Sequence, residues 1–250
     1  MLSADKIKSN WDKFLAIIDK EISSPRKEKL LAFYKKIEED VVIAPASSST
    51  EHHSAFPGGY VDHVIRVVEI ALDLELIWAK YKGIKNHTRE ELVFACLNHD
   101  LGKMGLLGKP YYLDNDNAWE IKNRNKVYKY NDELPYTSVP DRSLFLLQEA
   151  GVPVTINEYI AIKTHDGLYD DANKAYLMTY SVYNKPRTYL PFLIHEADMI
   201  AARVEWEAVW ADKYLKPKAD VPAKETIKEK AIKATIKGDA MNSIMQNIKI

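Results

Sequence analysis

One cysteine, Cys96, stands in 250 residues, so the chain cannot close an internal disulfide, and a cytoplasmic location in a reducing compartment is expected. No apolar run reaches the length of a membrane span, and the first residues lack the basic, apolar, small-residue order of a secretion leader. Neither charge sign prevails: 35 Lys and Arg face 36 Asp and Glu, a formal net charge of -1. That balance excludes a binder that holds nucleic acid or a membrane surface by bulk charge. Glycine is scarce, with nine residues, and alternating β-branched runs are few. A sheet protein is therefore not expected, and no internal repeat is visible.

What is abundant is apolar periodicity of helical spacing, which predicts an all-α fold, a helical bundle. Ile7, Trp11, Phe14, Leu15, Ile18 and Ile22 predict one helix over 4–22, and Leu30, Leu31, Phe33, Tyr34 and Ile37 predict a second over 26–43, joined at Ser23-Ser24-Pro25. Residues 1–44 thus read as N-terminal helices packing on the core. Residues 44–59, rich in Ser, Pro and Gly, read as a loop entering a largely buried helix from Tyr60 to Tyr81, with His63 in its first turn. Thr88 and Glu91 have capping-box spacing ahead of a helix that runs into His99-Asp100-Leu101-Gly102-Lys103.

From 104 to 140 the period is lost. Tyr111, Tyr112, Trp119, Tyr128, Tyr130 and Tyr136 stand among Lys109, Lys122, Arg124, Lys126 and Lys129, an irregular insertion suited either to base stacking or to packing of a long loop. Asp141 is expected to cap a helix over 142–149, and Thr155 with Glu158 another that ends in His165-Asp166-Gly167. A loop over 169–187 leads to a long helix, 188–210, carrying His195 and Asp198 three residues apart on one face. Residues 211–250 form a Lys-rich segment, read as a solvated tail.

His63, His99, Asp100 and Asp198 lie on three separate apolar helices. Imidazole and carboxylate are good ligands for a borderline divalent ion, and an aspartate among Ile194, Ala197, Met199, Ile200 and Ala201 is costly to bury unpaired. A divalent metal held by these four residues follows. Lys103 can bring a cation to a phosphate oxygen, and His165 serves as a phosphate-facing acid or a ligand to a weaker second ion, whereas His52 and His53 are weaker candidates.

The order His63…His99-Asp100…Asp198, with Phe56-Pro57-Gly58-Gly59, His99-Asp100-Leu101-Gly102-Lys103 and His195-Glu196-Ala197-Asp198, resembles the HD-domain metal-dependent phosphohydrolase superfamily over about residues 45–205. Within it, the run from Pro45 to His63 and the His195-x-x-Ala197-Asp198 ending are similar to HD domains of 3′–5′ exoribonucleases and of relaxase-associated proteins. Asp141-Arg142-Ser143 and Thr164-His165-Asp166-Gly167 resemble uncharacterised bacterial HD hydrolases. The resemblance implies an HD domain over 45–210 that hydrolyses a phosphoester with metal-activated water, Asp100 orienting that water or taking its proton. Such relatives carry a histidine before the segment matching Asp141, where this chain has Val139 and Pro140, so one tight metal site and at most one weak one are expected.

The expected substrate is a nucleotide or short nucleic-acid end, with Mn, Mg, Ni, Co or Fe as the ion. No membrane partner is expected, and a homo-oligomer is allowed for. Two other classes stay open: an HD-type dinuclear iron oxygenase, which needs six ligands, and a non-catalytic metal- or nucleotide-binding module.

Overall fold

Helices dominate the computed structural model, which describes residues 2–215; the expected Lys-rich tail from residue 216 onward lies outside the described residues. Helix α1 (Ala4–Glu21) starts at Ser3, whose side chain caps Lys6, and buries Trp11, Phe14 and Ile18. The stripe expected to form one helix over 26–43 is broken at Ile37 into α2 (Arg26–Lys36) and α3 (Glu38–Ile43). At the break the Trp11 indole donates to Glu38 (2.9 Å), which gives α3 a start independent of α2. No serine side chain caps α2; Ser24 instead bonds Glu28.

Helix α4 (Gly59–Lys80) follows the predicted loop, and Gly58, at φ +81°, supplies the left-handed residue that turns the chain into it. Helix α5 (Arg89–Asn98) opens with the expected Thr88–Glu91 capping box and is buried from Leu92 to Asn98. Beyond the following turn the insertion is more ordered than its sequence suggests. Strands β1 (Tyr112–Asp114) and β2 (Tyr128–Tyr130) pair antiparallel, Tyr112 opposite Tyr130, around helix α6 (Ala118–Arg124), which Asn117 caps.

Helix α7 (Val139–Glu149) begins three residues before the expected start. Ser138, not Asp141, is its cap: the Ser138 hydroxyl accepts from the Asp141 amide, and Pro140 sits in the first turn. The Thr155–Glu158 capping box opens α8 (Ile156–Thr164) as predicted. The segment expected as loop contains a short helix, α9 (Lys174–Leu177), before the long α10 (Leu190–Tyr214). That helix runs past 210, so the boundary expected there falls inside it. Among the described residues no helix is long and apolar enough to cross a membrane.

One hydrophobic core joins these helices, from Trp11 and Phe14 on α1 through Val64 and Val68 on α4 and Leu97 on α5 to Leu193 and Ala197 on α10. Helix α4 packs against α1, α5 and α10, and α8 against α5 and α10. Burying this much apolar surface, at about 25 cal/mol per Å², fixes the helices against one another. The ends of α5 and α8 and the middle of α10 are thereby brought to the side of α4 that carries His63.

Candidate metal centre

Three histidine rings are locked the same way. His63 Nδ1 lies 3.1 Å from Glu205, His99 Nδ1 2.7 Å from the Cys96 carbonyl and His165 Nδ1 2.8 Å from the Ile162 carbonyl. Each partner is an acceptor, so each Nδ1 donates, and Nε2 of each neutral ring is left with a free lone pair. His99 and His165 do this at equivalent places, each using the carbonyl three residues before it at a helix end.

The Nε2 atoms converge on two carboxylates. His63 Nε2 is 3.0 Å from Asp198 Oδ1 and 3.9 Å from Asp100 Oδ2; His99 Nε2 is 3.5 Å from Asp100 Oδ2 and 3.9 Å from Asp198 Oδ1. His165 Nε2 is 3.5 Å from the other oxygen, Asp100 Oδ1. His63, His99 and His165 are buried, as is Asp100, while Asp198 keeps 21% of its side chain open to the adjoining cavity. The four residues expected from sequence to be ligands are therefore together, and His165 borders them on the far side of Asp100.

The donors suit a divalent cation. His63 Nε2 and His99 Nε2 are buried yet make no hydrogen bond, although carboxylate oxygens stand close by. Two orphaned ring nitrogens facing two carboxylates in an apolar shell leave a positive charge as the group that satisfies all of them. Without it, protons take part of that role. Burial pushes His63 down, but Asp198 and Glu205 outweigh it and hold the ring up at about 10; burial likewise opposes, and Asp100 and Asp166 hold, His165 at about 9. Asp100 is raised by burial but kept well below the usual carboxylate range by Lys103, His99 and His165.

Local structure accounts for the placement. The turn after α5, Leu101–Met104, is clamped by α7: the Gly102 amide donates to Ser143 Oγ (2.7 Å), Ser143 Oγ is 2.9 Å from the His99 carbonyl, and Arg142 donates to the Gly102 carbonyl (3.0 Å). A Cβ on Gly102 would stand 2.2 Å from the Val139 carbonyl, so only glycine lets α7 approach this closely. Gly167, at φ +58°, has the His195 ring where its Cβ would be, 2.0 Å away. His195 donates from Nδ1 to the His165 carbonyl (2.9 Å). It thus holds the end of α8, where His165 sits beside Asp100.

Lys103, expected to meet a phosphate oxygen, pairs here with Asp100: its Nζ is 2.6 Å from Asp100 Oδ2. Of the weaker candidates, His53 lies against His63 (ring centroids 4.7 Å apart), driven down to about 3 by burial, then by His63 and Lys103, while His52 stands at the cavity edge. The cavity has a volume of about 500 Å³. From the insertion it is lined by Tyr112 and Tyr130, and from α10 by Arg203 and Trp206. Tyr111 is drawn away under the Arg142 guanidinium, 4.7 Å from its ring centroid. Trp119 and Tyr136 are 58% and 96% exposed and do not line the cavity. Val139 lines it, at the position where a further histidine was expected to be lacking.

Sequence reasoning missed Glu205. It stands seven residues after Asp198, two turns along α10 and hence on the same face. Its buried carboxylate accepts from His63 and from Ser54 Oγ (2.8 Å) and pairs with Arg66, which in turn binds Asp62 (2.9 Å). The available signal was an acidic residue seven positions after Asp198, on the same face of a predicted helix. Comparison of the chain with family models, with curated proteins and with solved structures gives no match.

Proposed function

We propose that the chain is a divalent-cation-dependent phosphohydrolase acting on a nucleotide or a nucleic-acid end, in keeping with its resemblance to HD-domain enzymes. The single observation that carries this reading is the pair of buried, unbonded ring nitrogens, His63 Nε2 and His99 Nε2, facing Asp100 and Asp198, the two carboxylates that line the cavity. His63, His99, Asp100 and Asp198 would hold the ion. When bound, such an ion lowers the pKa of a coordinated water and neutralises charge on a phosphoryl group.

The side chains around it supply the rest. Glu205 and the Cys96 carbonyl fix the tautomers of His63 and His99, so that both rings face the site as acceptors. His165, with Nε2 3.5 Å from Asp100 Oδ1 and Nδ1 held by the Ile162 carbonyl, borders the ion's place and would give a proton to a leaving oxygen. Tyr112, Tyr130 and Trp206 line the cavity of about 500 Å³, within the usual range for small-molecule pockets, and would supply aromatic rings for a base to stack on.

A screen of mono-, di-, tri- and cyclic nucleotides and short oligonucleotides, with Mn, Mg, Ni, Co and Fe added in turn, tests the assignment. Phosphate release that depends on added metal and vanishes in His99→Ala is expected. Oxygen consumption with iron and no phosphate release would point to an oxygenase, and tight nucleotide binding without turnover to a binding module.

A further inference from the structure

Lys103 stands where a cation is needed. Its Nζ is 2.6 Å from Asp100 Oδ2, the oxygen that also approaches His99 Nε2 at 3.5 Å and His63 Nε2 at 3.9 Å. The other oxygen, Asp100 Oδ1, faces His165. So the atom of Asp100 best directed at the His63–His99–Asp198 cluster is engaged by a lysine three residues on. A buried carboxylate needs a counter-charge, and Lys103 provides one from the same turn. Its chain is long and flexible, it has three rotatable donors, and it keeps 14% of its side chain open on the cavity beside Tyr112 and Val139.

Resting on the reading of the site as a metal centre, we propose that Lys103 is an internal stand-in for the divalent cation. It neutralises Asp100 Oδ2 in the metal-free chain and yields that oxygen when a cation arrives. The ammonium released then turns into the cavity and anchors a phosphate group. Binding is therefore ordered, cation first and phosphate second. No covalent step is involved; one positive charge replaces another at the same oxygen. A merely structural ion pair predicts the opposite sign on mutation: loss of Lys103 would loosen the turn that carries Asp100 and weaken metal binding, whereas loss of a competitor strengthens it.

Calorimetric titration of the full-length, chelator-stripped chain with Mn²⁺, and then with inorganic phosphate in the presence and absence of Mn²⁺, decides the matter. Lys103→Met should bind Mn²⁺ roughly tenfold more tightly than wild type or better, the factor worth about one charge-assisted hydrogen bond. Lys103→Arg, which keeps the charge, should show no such gain. Phosphate should bind wild type only after Mn²⁺, and Mn²⁺-loaded Lys103→Met should lose about tenfold or more in phosphate affinity by the same measure. Should Lys103→Met be too unstable without metal for calorimetry at the working temperature, its rise in Tm on saturating Mn²⁺, read from melts started in the cold, should exceed that of wild type. Equal or weaker Mn²⁺ binding by Lys103→Met, or an equal or smaller rise in Tm, overturns the proposal while leaving the metal centre standing. Failure of wild type to take up Mn²⁺ overturns the metal centre and the proposal with it.

Discussion

Replacing Glu205 by glutamine isolates what the carboxylate does for His63. In the wild-type chain the Glu205 carboxylate, 8% exposed, accepts from His63 Nδ1 and from Ser54 Oγ and neutralises Arg66. Glutamine preserves the shape and one acceptor but removes the charge. A hydrogen bond to a charged group contributes about 1.5–3 kcal/mol, so the metal-free variant should lose about that much stability. At roughly 2–4 °C per kcal/mol for a chain of this size, Tm should fall by about 3–12 °C. Partners that orient a ligating histidine typically contribute 10–100-fold to metal affinity, and a loss in about that range is expected for Mn²⁺. Glu205→Ala, which leaves Arg66 and the His63 N–H facing a void, should cost more, about 3–5 kcal/mol. The assay is Mn²⁺ titration with thermal melts of both variants, with and without metal. Mn²⁺ affinity of Glu205→Gln within a factor of about two of wild type would refute the idea that this carboxylate sets the His63 tautomer for a metal.

Three further outcomes follow from the geometry. His63 and His165 are held at about 10 and about 9, above the ordinary value of 6.5, by carboxylates that outweigh the effect of burial. Their raised values stabilise the metal-free chain fully below about pH 6.5, and that stability is lost as pH rises through about 9 to 10. A cation needs the His63 ring neutral, so the Tm difference between metal-loaded and stripped protein should widen as pH rises toward about 10; a constant or narrowing difference contradicts it. Tyr112→Ala or Tyr130→Ala should weaken nucleotide binding by about tenfold, stacking being worth roughly 1–3 kcal/mol per base, with far less effect on p-nitrophenyl phosphate. Trp119→Ala and Tyr136→Ala should leave both unchanged, which the same kinetic comparison checks. Gly167→Ala must displace the His195 ring and strain a left-handed residue, so a loss of roughly 1–3 kcal/mol in chemical denaturation is expected.

The helices were legible where periodicity and capping chemistry agreed. Thr88–Glu91 and Thr155–Glu158 each mark a true helix start because both halves of the capping box lie in one short stretch of sequence. Ser138–Asp141 carries similar information, but Pro140 after a long aperiodic insertion obscured it. The break at Ile37 depends on a bond from Trp11, 27 residues away, which no local pattern contains. In the site, His63, His99, Asp100 and Asp198 stood out because polar residues on apolar helices need partners. Glu205 did not, since its helix becomes more polar around it and the need it fills belongs to His63. The insertion could be read only as aromatic and basic. That Tyr112 and Tyr130 reach the cavity together depends on the register of β1 with β2, which sets these two residues opposite each other and which no local pattern contains.

Metal content measured on purified, full-length protein tests the central claim most directly. After loading with Mn²⁺ and dialysis against a mild chelator, wild type should retain one ion per chain, and His99→Ala and Asp100→Ala none, with helical circular dichroism little changed. The same stoichiometry in wild type and in both variants would contradict a metal centre built on His63, His99, Asp100 and Asp198.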